Sequence, residues 1–209
     1  MSNLILSPLS FKNAFKAALY VAFLPLMLSL SAHAQDTVSA SQLIKDLQSG
    51  NHIIYMRHSQ TNRDQRDNDK KNFNKCMSQR NLSDGGKTLA TSIGAKIKKM
   101  GIPIGQIFSS PYCRCKETAE LTFGSYTIEN DLQFSMSKSP EELKYYGERL
   151  KALMEASPSG KNNTVYVGHT SNLKEGLGVW PKPEAVIAVF KKTEDDIIFK
   201  GLIKPDDWK

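Results

Sequence analysis

Two short apolar runs in this chain each end in a histidine, and that pairing restricts the fold more than any other feature. Ile53-Ile54-Tyr55-Met56 leads into Arg57-His58, and Val165-Tyr166-Val167-Gly168 leads into His169. Both runs read as strands. Between them, Leu89, Ile93 and Ile97 recur at helical spacing behind a cap at Ser83. Ser139-Pro140-Glu141-Glu142 opens another helix with a cap, a proline and early acids. Strand and helix alternate through most of the chain. That order predicts an α/β protein, a three-layer α/β/α sandwich around a mostly parallel central sheet. In open sheets of this kind ligands bind at the carboxyl ends of the strands, where both histidines fall.

The remaining elements follow from periodicity and punctuation. Ser41 caps a short helix with Leu43, Ile44 and Leu47 on one face, and Gly50-Asn51 ends it before a strand over 52–56. Residues 59–81 form a long polar loop, which inside a compact domain is functional or mobile. A helix over 84–100 stops at Gly101, and a strand follows over 104–109. Pro111 fits the first turn of a helix over 112–123. A short strand is expected over 128–132, a helix to about residue 156, and strands over 164–168, 186–190 and 197–203.

The first 34 residues read as an export signal. Lys12 and Lys16 precede a short apolar core at 17–30, and Ala32-His33-Ala34 offers a small-x-small cleavage site that would leave Gln35 as the new N-terminus. The alternative is an uncleaved anchor, but the core is short for a bilayer span. The expected organisation is therefore a signal peptide over 1–34 and one domain over 35–209, periplasmic or secreted, with no stable membrane span after processing. The chain carries a formal net charge of +7, two of which are the leader lysines. No run of like charge marks a nucleic-acid tract, so no nucleic-acid partner is expected. A mild positive field suits an anionic substrate. Export permits a disulfide among Cys76, Cys113 and Cys115, and the odd count leaves one thiol over. Cys76, Cys113, Cys115 and His58 fit no usual closed zinc site, so no metal and no cofactor are expected. Oligomeric state is not readable.

The chemistry follows from four side chains. A neutral imidazole such as His58 can attack phosphorus and split one displacement into two easier ones. The transferring group carries negative charge on its equatorial oxygens and needs fixed cations there. Arg57 and Arg114 supply them, because a guanidinium stays charged and binds phosphate through a fork. His169 would assist by donating to a phosphoryl oxygen. His52 reads as structural.

Arg57-His58-Ser59-Gln60-Thr61 resembles the Arg-His-Gly-Glu-Thr signature of the histidine phosphatase superfamily, in its phosphoglycerate mutase-like first branch. Ser110-Pro111-Tyr112-Cys113-Arg114-Cys115-Lys116-Glu117-Thr118-Ala119 is similar to that family's Ser-Pro-x-x-Arg-Ala-x-x-Thr-Ala segment. Gly168-His169 and Arg80-Asn81-Leu82-Ser83 resemble its remaining two segments, in the expected order. The flavour is that of small exported members with a Cys-Arg-Cys.

The resemblance implies a phosphoglycerate mutase-like fold and a phosphatase acting through a phosphohistidine. His58 would be the nucleophile; Arg57, Arg114 and His169 would complete the pocket, with Thr61, Asn62 and Thr170 near the substrate. The partner would be a small phosphorylated molecule or a phosphoprotein. Two departures stand out. Ser59 replaces a glycine. The segment that usually carries a glutamate proton donor reads Asp131-Leu132-Gln133-Phe134, with no acid after the leucine. Either the leaving group needs no proton, as for a phosphohistidine, acyl phosphate or anhydride, or another carboxyl serves, with Glu141, Glu142 and Asp64 as candidates, or the protein is a poor catalyst. The alternative is a phosphate- or phospho-ligand-binding module that has lost turnover. Relatives carry alanine where Cys115 sits, which turns Cys115 toward the core and favours Cys76–Cys113 over Cys76–Cys115 as the disulfide.

Overall fold

Six strands form a single sheet in the order β3-β2-β4-β1-β5-β6. The computed structural model describes residues 38–69, 72–136 and 138–209; the expected leader over 1–34 and its cleavage site lie outside the described residues. The elements run α1 (Ala40–Gln48), β1 (Ile53–Arg57), α2 (Asp84–Lys99), β2 (Ile104–Ser109), α3 (Cys113–Phe123), β3 (Thr127–Ile128), α4 (Pro140–Glu155), β4 (Asn163–Gly168), α5 (Thr170–Leu177), β5 (Ile187–Lys192) and β6 (Ile197–Ile203). Strands β3, β2, β4 and β1 are parallel, and β5 joins antiparallel to β1. The sheet is thus mostly parallel, with a hairpin closing one side.

Alternation along the strands makes the three layers. Ile54, Met56, Val165, Val167, Ile187 and Val189 face one side with Leu43 and Leu47 of α1, Ile93 and Ile97 of α2 and Ala119 of α3. Ile53, Tyr55, Tyr166, Ala188 and Phe190 face the other with Leu150 and Met154 of α4 and Leu173 of α5. Burial of each such aliphatic side chain contributes about 1.5–3 kcal/mol before entropy is charged against it.

Three local expectations change. The cap of α1 is Ser39, whose Oγ accepts from Gln42 N at 3.2 Å, and not Ser41. Pro111 stands before the Tyr112 cap, so α3 begins beyond it. The strand expected over 128–132 stops at Ile128, because the Glu129 carboxylate accepts from Asp131 N and turns the chain into a single helical turn. The α4 entry carries a full capping box between Ser139 and Glu142.

What places the site is the β1–β4 pair. Their ends are in register, Arg57 opposite Gly168, and His58 N donates to Gly168 O at 3.0 Å. His58 and His169 therefore leave the sheet side by side. Gly168 is required here: a Cβ would strike the Tyr55 hydroxyl, which donates to the His169 carbonyl at 2.7 Å.

Candidate active site

The His58 and His169 rings meet edge to face with centroids 5.5 Å apart, and both side chains are buried. His58 Nδ1 lies 2.9 Å from Ser59 O. A carbonyl only accepts, so Nδ1 carries the proton and the lone pair sits on Nε2. Burial, with the Arg114, Arg57 and Arg80 cations added, holds this imidazole well below its usual range. His169 is held low by burial first and then by Arg114, His58 and the other two arginines. Its Nε2 shares a 2.9 Å hydrogen bond with Ser110 Oγ, and Cys115 Sγ lies 3.5 Å from the same nitrogen. Burial pushes the Cys115 thiol up to about 12, so it packs as an inert group.

The turn after β1 is pinned on all sides. Ser59 N donates to Thr118 Oγ1 at 2.9 Å, and Ser59 Oγ donates to Gly86 O at 2.7 Å. The serine that stands where the family signature has glycine thus ties β1 to α2 and α3. Gly86 must be glycine, since a Cβ there would collide with the Gln60 backbone.

Arg114 is the largest fully buried side chain of the described residues. It rests between rings, its guanidinium carbon 4.6 Å from the Tyr112 centroid and 5.6 Å from that of Phe134. Nη1 donates to Asp67 Oδ1 at 2.9 Å. Its Nε and Nη2 are buried with no protein partner, as are Arg57 Nε and Arg80 Nε. Leaving a buried donor unpaired costs about 1–3 kcal/mol, more when charged. Three arginines whose charges act on one imidazole thus keep buried donors free, and such donors suit a tetrahedral anion. Arg57 is steadied from behind by Pro181 O at 3.3 Å and by Glu184 at 3.5 Å.

The remaining expected residues divide. Thr61 is buried beside Arg57, with its hydroxyl donating to Glu184 at 3.0 Å. Asn62 is spent on the chain, Oδ1 accepting from Asp64 N at 3.0 Å. Thr170 is buried as the first residue of α5, next to His169. The candidate proton donors are exposed. Asp64 is exposed on the loop. Glu141 is exposed at the α4 entry, where its own backbone N–H and Ser139 hold its carboxyl below the usual range, the reverse of what a proton donor needs. The segment lacking the acid instead delivers Phe134, whose ring packs 5.3 Å from His169.

No family profile and no curated protein matches the sequence. Solved structures do. The protein histidine phosphatase SixA complexed with tungstate is 17% identical over 76% of this chain and 99% of that chain, TM-score 0.51. A mutant phosphoserine phosphatase from Entamoeba histolytica in complex with phosphoserine is 14% identical over 75% and 98%, TM-score 0.57. An Escherichia coli protein proposed to be an α-ribazole-5′-phosphate phosphatase is 12% identical over 74% and 97%, TM-score 0.59. The chain shares its fold with these phosphatases. Within that fold, three residues here escape a sequence reading. Arg80 contributes the third cation. Asp67 receives both Arg114 and the Arg80 backbone N–H, the latter at 3.0 Å. Glu184 receives Arg57 and Thr61. Arg80 and Asp67 lie on the 59–83 loop, which a Cys76–Cys113 disulfide and the 2.9 Å bond from Cys113 N to Gln79 Oε1 fasten to α3.

Two clefts lie near the strand ends. One, of about 810 Å³, is lined by Arg57, Thr61, Arg80 and Glu184. The other, about 680 Å³, lies at Phe73, Lys116 and Tyr126 and includes none of the two histidines and three arginines. The first shares Arg57 and Arg80 with the arginine cluster. Among the described residues no group of three or more His, Cys, Asp or Glu side chains is placed to hold a metal, and no helix is long and apolar enough to cross a membrane.

Proposed function

We propose that the protein is an exported phosphatase that hydrolyses a phosphomonoester or another phosphorylated substrate through a phosphohistidine intermediate. The observation that carries this reading is the His58 Nε2 lone pair, oriented by the Nδ1–Ser59 bond and held in the field of three arginines that keep buried donors unpartnered. Nε2 attacks phosphorus, an N–P bond forms, and the P–O or P–N bond to the leaving group breaks. Water then cleaves the N–P bond and releases inorganic phosphate. Arg57, Arg80 and Arg114 neutralise the equatorial oxygens throughout, and His169 bonds a phosphoryl oxygen. The shared fold and the Cys76–Cys113 disulfide support a phosphatase of an oxidising compartment. The substrate is a small phosphorylated molecule or a phosphoprotein.

Phe134 gives the reading its shape. A general acid contributes about 10²–10⁴-fold to rate. With a phenyl ring in that segment, the leaving group departs without a proton from the protein. Activity therefore concentrates on leaving groups of low pKa, such as activated aryl phosphates, acyl phosphates or phosphohistidine. A leaving-group series, with rapid acid-free quench to trap the acid-labile phosphoenzyme, tests this. A steep dependence on leaving-group pKa and a trapped intermediate are expected, both indifferent to chelator. Tight phosphate binding with no phosphoenzyme from any substrate would instead identify a binding module.

A further inference from the structure

The cleft at Arg57 and Arg80 is strongly cationic. Five cations line it: Arg57 from the end of β1, Arg63 and Arg80 from the loop, Lys182 ahead of β5, and Lys204 after β6. Its one acid, Glu184, is already taken by Arg57 and Thr61. Some surface lysines outside it do have carboxylate partners, such as Lys87 with Glu117, Lys144 with Glu148 and Lys151 with Glu155; what sets the cleft apart is five cations against one acid in a single concavity. Among the described residues, Arg63, Arg80, Lys182 and Lys204 have no carboxylate within ion-pair distance. Like charges gathered in one concavity repel, and they raise the local concentration of anions.

Arg57 and Arg80 belong both to the phosphoryl receptor and to this cleft. A substrate whose phosphoryl group sits at His58 would therefore extend its leaving group past Arg63, Lys182 and Lys204. Lys182 is also kept near the rim, its Nζ 4.6 Å from the exposed Trp180 ring. Resting on the phosphatase reading above, we propose that the leaving group bears a second anionic group, carboxylate or phosphate, bound by Arg63, Lys182 and Lys204. Lysines on flexible stems make point-charge contacts and accept either anion. Specificity then lies in the charge of the leaving group as well as in its pKa.

The test compares para-(carboxymethyl)phenyl phosphate with its neutral methyl ester; the methylene insulates the phenol, so leaving-group pKa is matched. A third arm uses para-(phosphonomethyl)phenyl phosphate, and the lower KM of the two acids identifies the preferred anion. At low ionic strength the acids are expected to show a KM roughly tenfold below the ester, a gap that closes as salt screens exposed charges. In the Lys182→Gln/Lys204→Gln variant the acid-to-ester ratio falls to within about twofold, while Lys151→Gln on α4 keeps the ratio of the parent. Equal KM for acid and ester in the parent, or a ratio that survives the double substitution, overturns the proposal. If no compound is turned over, the phosphatase reading has failed, and the same ratio is read from calorimetric Kd values, with the same two outcomes.

Discussion

His58 and His169 leave adjacent parallel strands whose ends are in register, and their separation is set by the backbone ladder. Arg80 and Asp67 come from the long connection between β1 and α2, which has little regular structure and is tied to α3 by a disulfide, a glutamine and an ion pair. One half of the site is placed by the sheet. The other is placed by side-chain fastenings on a polar loop. Under the proposed mechanism the difference divides the labour: the strand ends carry the reacting nitrogen, and the loop adjusts the charge around it. Damage to the first half should stop the reaction, and damage to the second should grade it.

Substitution at His58 gives the largest expected effect. His58→Ala reduces turnover of an activated aryl phosphate to background and abolishes the trapped phosphoenzyme; full activity in that variant would end the mechanism. Next comes the fastening. Cys76→Ser/Cys113→Ser should lose about 2–4 kcal/mol of stability in denaturant titration while retaining measurable turnover, because the strand-borne histidines stay in place. If it is as dead as His58→Ala, the two halves are not separable. Arg80→Gln is expected to cost about 10–100-fold in kcat/KM. Because the lost cation also disfavours imidazolium, the acid limb of its kcat/KM profile should move up toward the ordinary histidine range. A fall in rate with an unmoved limb would mean that Arg80 acts away from His58.

A further effect is on stability against pH. In the unfolded chain both histidines take up protons below about pH 6.5, whereas in the folded chain burial keeps them neutral. Their contribution is complete above that pH. It is lost as pH falls toward the folded values, by up to about 1.4 kcal/mol per unit for each histidine. Inorganic phosphate should oppose the loss, since an anion in the receptor favours the charged rings. Flat stability between pH 6.5 and 5 would contradict the burial argument.

The same division explains what the sequence disclosed. His58, Arg57, Arg114 and His169 stand at the ends of apolar runs or the start of a helix, where periodicity locates them to within a residue. Arg80 and Asp67 sit in a stretch of mixed charge with no period. Asp64 and Asp67 are chemically alike in that stretch, and only the Asn62 turn and the contacts of the loop make the second face Arg114. The missing acid near Leu132 is visible as an absence, but that Phe134 would lie against both His169 and Arg114 depends on how the chain turns after Glu129. At α1, Ser39 and Ser41 offer the same hydroxyl two residues apart, and propensity alone does not choose between them.

The Tyr55 hydroxyl crosses from β1 to the His169 carbonyl, at the point where Gly168 makes room for it. Together with the His58–Gly168 bond it makes the distance between the proposed nucleophile and its partner a property of main-chain pairing. Insertions and exchanges in the surrounding connections can then re-aim the recognition surface without retuning the chemistry. A scaffold of this kind lends itself to acquiring new substrates by changing its margins alone.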